Sequence, residues 1–141
     1  MDRNWDELLQ ELRVTQTGVQ ILTGFLLTLP FQARFSDLTT GQRRLYLLVL
    51  CLSTVATGLI IAPVSAHRIL FRRRRKGALV RMGDWSSKAG LAVLAVAVTG
   101  VVLLVFDVVL GSTAATVAAG VTFTFFVIVW LVLPLTLRRT G

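Results

Sequence analysis

Four long apolar segments limit what this chain can fold into. They cover about residues 14–35, 44–64, 88–110 and 114–137. Each approaches the roughly 20 mostly apolar residues that a helix needs to cross a bilayer core of about 30 Å. Alternation of apolar and polar residues, the sign of a half-buried strand, is missing from these segments, and runs of about 20 residues are too long for buried strands. The pattern predicts a single all-α membrane domain over residues 1–141, built as a four-helix transmembrane bundle.

The composition argues against a soluble globule and excludes a disordered chain. Hydrophobic residues make up 55% of the sequence and charged residues only 16%, and the mean hydropathy is +0.75. A soluble domain of this size needs far fewer apolar residues for one core. The single cysteine, Cys51, cannot form an intrachain disulfide or a cysteine metal cluster. We expect no cofactor and no metal.

Capping patterns predict where the helices begin. Asn4 with Glu7 has the spacing of a capping box and predicts a helix that starts at Trp5. Thr39 with Gln42 repeats this pattern before the second segment. With these starts, the four predicted helices cover about residues 5–35, 44–64, 88–110 and 114–137.

Proline and glycine predict where the helices bend or end. Pro30 has no amide hydrogen, so a bend is expected near the end of the first helix. Gly111 is suited to end the third helix, and Ser112 or Thr113 to cap the fourth. Because so short a turn separates them, the third and fourth helices should form a tight antiparallel hairpin.

The distribution of Lys and Arg predicts the orientation in the membrane. With both termini in the cytoplasm, two basic residues of the N-terminal segment, eight of the connection 65–88 and two at the C-terminus lie inside. Only Arg34, Arg43 and Arg44 then lie outside. This bias follows the positive-inside rule. We therefore expect a multi-pass protein of the cytoplasmic (inner) membrane, with residues 65–88 as a basic cytoplasmic loop.

The first helix carries a polar stripe, Arg13, Gln16, Gln20 and Thr23, which fall on one side at 100° per residue. An amide that faces hydrocarbon is costly, so this stripe should face protein or water. One interpretation is contact between helices, worth about 0.6 kcal/mol for each polar pair. The other is the lining of a small polar cavity or substrate path. We favour contact, because glutamines do not titrate and cannot run a proton relay.

Asp107 is the only acidic residue within the four apolar segments. A carboxylate buried in the middle of a membrane would be a functional candidate. This one lies about one turn from the outer end of the third helix. We therefore expect an interfacial acid that pairs with Arg34, Arg43 or Arg44.

Charged residues at the cytoplasmic ends of the first two helices predict a clamp. Glu11 precedes the first apolar segment, and His67 and Arg68 follow the second. Antiparallel packing would bring these opposite charges to a similar depth. One histidine without further ligands does not form a metal site.

A run of five basic residues predicts contact with anionic lipid headgroups. Each basic residue near such a surface contributes about 1 kcal/mol. Nucleic acid is not expected as a partner, because no aromatic residues interleave to stack on bases. The run consists of Arg72, Arg73, Arg74, Arg75 and Lys76.

Small residues at four-residue spacing form a ladder in the fourth segment. Thr116, Gly120 and Thr124 would let another backbone approach closely. The sequence leaves two partners open for this face, the third helix or a second subunit.

Two stretches of the sequence resemble a known family. They are ELRVTQTGVQILTGFLLTLPF over 11–31 and IAPVSAHRILF over 61–71, joined by Gln42, Arg43 and Tyr46. They resemble a family of small actinobacterial integral membrane proteins of unknown function, over about residues 7–110. The resemblance implies a four-helix membrane protein and draws attention to the polar first helix and to His67 with Arg68. It implies no activity, and the fourth helix resembles the family only as generic apolar sequence.

Two functions are compatible with these features. We expect a non-enzymatic accessory or scaffold protein that acts through helix contacts and its basic cytoplasmic loop. The alternative is a small oligomeric channel or transporter with a path lined by Gln16, Gln20 and Thr23. An enzyme is not expected, because no pair of nucleophile and base and no pair of carboxylates lies at membrane depth. The partner is a larger membrane protein or a second copy of the chain, and the sequence leaves both open.

Overall fold

The computed structural model describes residues 2–70 and 76–137, and the side chains of residues 10, 13–65 and 82–136. Within these ranges the chain is all-α, with four long helices and no strand. The helices are α1 (Asp2–Thr28), α2 (Thr40–Leu70), α3 (Lys76–Leu110) and α4 (Ser112–Val127). A π-helical segment, Ile128–Val132, continues α4 into the short helix α5 (Leu133–Leu137).

The first helix ends earlier than the predicted residue 35. After Thr28 the chain tightens into two 3-10 segments, Leu29–Phe31 and Ala33–Asp37. Pro30 lies in the first of them and cannot donate the backbone hydrogen bond that would continue an α-helix. The predicted bend is therefore a complete end of the α-helix.

Helices α2 and α3 extend into the predicted loop 65–88. Helix α2 ends only at Leu70, and α3 begins at Lys76. Both extensions contain Ala, Leu and Arg, which have high helix propensity, and charge alone does not end a helix here. Residues 71–75 lie outside the described residues.

Three helical segments are long and apolar enough to cross a membrane. They are Thr40–Ser65, Met82–Leu110 and Ser112–Thr136. Too little of α1 is described for a segment of that length, because its described side chains beyond Gln10 cover only residues 13–28, so the fourth predicted span stays a prediction.

The chain divides into two compact units. Unit 1 comprises Met1–Phe35 and Leu50–Leu94, and unit 2 comprises Ser36–Val49 and Ala95–Gly141. Helices α2 and α3 contribute residues to both units. In unit 1 the core joins three helices, since Val19, Ala56 and Ile60 are buried together. Val93 and Leu94 of α3 pack against this cluster.

Within unit 1, α3 approaches α2 closely at Gly90. A Cβ atom at this position would lie 2.8 Å from Cγ1 and 3.3 Å from the backbone nitrogen of Ile60. One turn earlier, the buried Ser86 hydroxyl donates to the backbone oxygen of Leu59. Small residues therefore allow the two backbones to come together, as in membrane helix pairs.

Unit 2 contains a second close approach of α3 to α2. A Cβ atom at Gly100 would lie 2.5 Å from Cγ2 of Val49. Val49 is buried, with 1% of its surface exposed, so this methyl group has little room to move.

Gly111 alone connects α3 to α4. Its φ of 91° is left-handed, and its N–H donates to the backbone oxygens of Phe106 at 3.1 Å and Asp107 at 3.2 Å. Its own oxygen accepts from the N–H of Ala115 at 3.1 Å. The predicted end of α3 at Gly111 is confirmed. The predicted cap at Ser112 or Thr113 is wrong, because Gly111 itself precedes the first turn of α4.

Candidate functional site

Helix α1 packs against α2 within unit 1, in antiparallel direction. Thr23 of α1 meets Ser53 of α2, and Val19, one turn earlier on α1, packs with Ala56 and Ile60, which come later on α2. Ser53 lies at the middle of the 26-residue apolar segment Thr40–Ser65. Helix α1 therefore runs beside the middle of this apolar segment, although its own mean hydropathy is lower.

A hydrogen bond between two hydroxyl groups joins the helices there. The oxygens of Thr23 and Ser53 are 2.6 Å apart. The Thr23 hydroxyl donates to the backbone oxygen of Val19 at 2.9 Å, so the Ser53 hydroxyl is the donor between the two side chains. Ser53 is 0% exposed, and this bond satisfies its buried hydroxyl. For Thr23, the geometry supports helix contact over the lining of a path.

The remaining residues of the polar stripe lie elsewhere. Gln16 is half-buried, whereas Arg13 and Gln20 are exposed. Arg13 and Gln20 form, with three further exposed residues, what we call the outer polar face. Its residues lie within a sector of about 80° around the helix axis at 3.6 residues per turn. The outer polar face consists of Arg13, Thr17, Gln20, Gly24 and Thr28.

Local bonds satisfy the hydroxyl groups of the outer polar face but not its amide. Thr17 donates to the backbone oxygen of Arg13 at 3.0 Å, and Thr28 to that of Phe25 at 2.7 Å. Among the described residues, no hydrogen-bond partner reaches the Gln20 carboxamide. A Cβ atom at Gly24 would meet nothing within 4 Å, so the backbone is open to approach here.

Beside the outer polar face, α1 exposes an apolar face. Val14, Ile21 and Phe25 are 72%, 69% and 67% exposed. Apolar side chains in such numbers suit contact with lipid. Helix α1 thus has a packed face, an apolar face and a polar face.

Asp107 has a partner other than the predicted arginine. Its half-buried carboxylate accepts from Nε2 of Gln42 at 2.8 Å. The guanidinium of Arg43 instead donates to the backbone oxygen of Ser36 at 2.6 Å. A carboxylate is unfavourable in the last turn of α3, because the helix dipole is negative there. The hydrogen bond from Gln42, near the start of α2, offsets this unfavourable interaction.

Gln42 also takes part in the predicted capping box, which is confirmed. Its Oε1 accepts from the Thr39 N–H at 3.0 Å, and Thr39 Oγ1 accepts from the Gln42 N–H at 3.2 Å. The same side chain therefore caps α2 and binds the end of α3.

The small-residue ladder of α4 faces away from the rest of unit 2. Thr116, Gly120 and Thr124 are all exposed, and a Cβ atom at Gly120 would meet nothing within 4 Å of it in the described part of the chain. The first of the two predicted partners, α3, does not occupy this face.

Several predicted site residues lie outside the described side chains, so the clamp and the headgroup contacts remain predictions. These residues are Glu11, His67, Arg68 and Lys76, together with Arg72, Arg73, Arg74 and Arg75.

Comparison with protein families adds one finding. The model of a family of unknown function, DUF6328, matches residues 1–134. The chain belongs to DUF6328. The match continues through all of α4 and into the first residues of α5, beyond the 7–110 range of the resemblance described above. Neither a curated protein nor a solved structure matches the chain.

The residues that pack this DUF6328 protein most closely were not identified from its sequence. Ser86, Gly90 and Gly100 of α3 and Ser53 of α2 lie at the helix contacts. Ser86 and Gly90 have the same four-residue spacing as the α4 ladder, so the sequence does contain a pattern that indicates a close helix contact. The pattern occurs on both α3 and α4 and does not indicate which of the two is packed.

The described residues of this DUF6328 protein offer contact surfaces more than reactive groups. Within them, no three His, Cys, Asp or Glu side chains come together as metal ligands. Cys51 is an exposed thiol on α2. The arrangement can bind another helix or water along the outer polar face.

Proposed function

We propose that this DUF6328 protein is a non-enzymatic integral membrane protein that acts as an accessory or scaffold protein through helix contacts. The outer polar face of α1 is its main contact surface. One observation carries the proposal: the Gln20 carboxamide is exposed and has no partner among the described residues, on a helix that packs beside the middle of α2.

The depth of Gln20 follows from its distance to Thr23. Thr23 packs at the middle of the segment Thr40–Ser65, and Gln20 is three residues away, about 4.5 Å along a helix axis. Arg13 is ten residues from Thr23, or about 15 Å, which corresponds to the edge of a core about 30 Å thick. A membrane that contains α2 therefore surrounds Gln20 with hydrocarbon and leaves Arg13 at the headgroups.

An unsatisfied amide at that depth is unstable. Each unpaired polar group in hydrocarbon costs several kcal/mol, because lipid chains neither donate nor accept hydrogen bonds. The bond between Thr23 and Ser53 and the burial of Val19 hold α1 in place, so Gln20 cannot simply leave the membrane. Another polar group must cover it.

The proposed topology is a four-helix bundle in the cytoplasmic membrane with both termini inside. The excess of Lys and Arg in residues 65–88 and at the two ends supports this orientation. The single-residue connection at Gly111 supports an antiparallel hairpin of α3 and α4. Anionic lipids are the proposed partners of the basic run 72–76, and nucleic acid is not.

A small oligomeric channel or transporter is the alternative function. The exposure of Gln20 favours it as well, because several copies could surround water with their outer polar faces. In that case Gln16 and Gln20 would line the path, while Thr23 would remain bonded to Ser53.

Photo-crosslinking in living cells tests the proposal. Benzoylphenylalanine replaces Gly24 on the outer polar face or, as a matched control, its neighbour Phe25 on the apolar face. We expect adducts with protein at position 24 and only lipid contact at position 25. The proposal fails if position 24 gives no protein adduct while the purified protein in liposomes conducts small ions or solutes.

A further inference from the structure

We infer that the outer polar face of α1 binds the same face of a second copy of this chain. The two α1 helices would pair in parallel around a twofold axis along the membrane normal. This inference rests on the proposed function, which puts α1 at membrane depth, and it names the partner.

The chemistry of Gln20 selects the second copy. A carboxamide carries both a donor and an acceptor and has no net charge, so its partner must offer both in return. An identical carboxamide does so. Two copies inserted in the same orientation bring Gln20 to the same depth, and a twofold contact is formed by one patch that complements itself.

The spacing of the outer polar face fits a helix pair. Its first four residues, Arg13, Thr17, Gln20 and Gly24, follow one another at intervals of four, three and four residues. This alternation forms the seam of a left-handed pair of helices. The two halves of a twofold contact would therefore meet along the seam over about three turns.

The seam is also shallow enough for two backbones to approach. Gly24 has no side chain and open space around it, and the hydroxyl of Thr17 is already bonded to its own helix. Gln20 is therefore the seam residue at membrane depth that still requires a partner.

Like charges do not prevent this pairing. The two Arg13 side chains would lie at the edge of the membrane, where water and salt screen their repulsion. The exposed apolar face at Val14, Ile21 and Phe25 has no unsatisfied polar group and is stable against lipid. The polar face is thus the one that gains from a second copy.

Disulfide crosslinking in native membranes tests the inference. In a Cys51→Ser background, cysteine replaces Thr17 or Gly24 on the outer polar face. The matched controls are their exposed neighbours Gly18 and Phe25. After oxidation with copper phenanthroline, we expect at least a fivefold larger dimer fraction at positions 17 and 24 than at 18 and 25. Gln20→Leu should lower the dimer fraction of the Thr17→Cys variant several-fold.

The inference is overturned if the dimer bands at positions 17 and 24 are absent or no stronger than those at positions 18 and 25. A charged, water-soluble methanethiosulfonate reagent then shows whether water covers the face instead. If position 24 gives no dimer and does not react, water does not cover the face, and the benzoylphenylalanine variant at this position separates the two remaining cases: an adduct with another protein supports the scaffold function, whereas lipid adducts alone contradict it. If position 24 gives no dimer and reacts, water covers the face; both the inference and the scaffold function then fail, and the channel is favoured.

Discussion

Helices α3 and α4 both carry glycines within long apolar segments, but Gly90 and Gly100 of α3 are packed whereas Gly120 of α4 is not. Cβ atoms at Gly90 and Gly100 would collide with Ile60 and Val49 of α2, whereas a Cβ atom at Gly120 would meet nothing within 4 Å in the described part of the chain. Small residues therefore show where a backbone can be approached. They do not show whether anything approaches it.

The difference lies in what faces each helix. Large side chains of α2 fill the space that the α3 glycines leave free, and the neighbouring Ala97 is 0% exposed. On α4, the described residues of Ser112–Val127 include one buried side chain, Ala115. Contact between α2 and α3 is thus internal, whereas the α4 ladder is available to lipid or to a partner.

The largest effect is expected for Gly90→Val. The added side chain would meet the backbone nitrogen of Ile60, which cannot turn away as a side chain can. Overpacking of this kind costs about 1–3 kcal/mol, occasionally more. Thermal melts of the detergent-purified protein should show a clear fall in Tm. An unchanged Tm would show that α3 does not approach α2 at this position.

A smaller loss is expected for Gly100→Ala, because the added methyl group meets only one methyl group of Val49. Val49→Ala should restore part of the lost stability in the double variant. The coupling between the two sites, measured as a double-mutant cycle of Tm or unfolding free energy, should be favourable. Additive effects would contradict the contact.

Ser53→Ala should cost less again, about 0.6 kcal/mol, as is usual for a hydrogen bond between membrane helices. Thr23 keeps its bond to the Val19 oxygen, so no donor of Thr23 is left unpaired. Thr54→Ala serves as the control, since the exposed Thr54 bonds only to the backbone of its own helix at Leu50. Equal melting of the two variants would argue against the contact between α1 and α2.

The smallest effect is expected for Gly120→Val. The added side chain enters open space. The change in Tm of the protein in detergent should therefore be much smaller than the change caused by Gly90→Val. Valine replaces glycine within an apolar helix, which itself costs little and can even stabilise. A large loss of stability would show that the α4 ladder is packed and would remove the contrast between α3 and α4.

Features that depend on neighbours in the chain were predictable from the amino-acid sequence. Thr39 and Gln42 are three residues apart and form their capping box as predicted. Pro30 ends α1 and Gly111 ends α3, because a missing N–H and a left-handed backbone act within one turn. Long apolar runs predicted the helices themselves, and three of them are long and apolar enough to cross a membrane in the described part of the chain.

Contacts between residues that are far apart in the chain emerge only when the helices pack. The bond between Thr23 and Ser53 joins positions 30 residues apart, and that between Gln42 and Asp107 joins positions 65 residues apart. Helical periodicity groups residues on one side of a helix but does not say which neighbour that side meets, so the polar stripe of α1 divides between a packed face and an exposed one. Which faces meet depends on shape, as where side chains of α2 fill the gaps left by small residues on α3. Such complementarity exists only when the helices pack together.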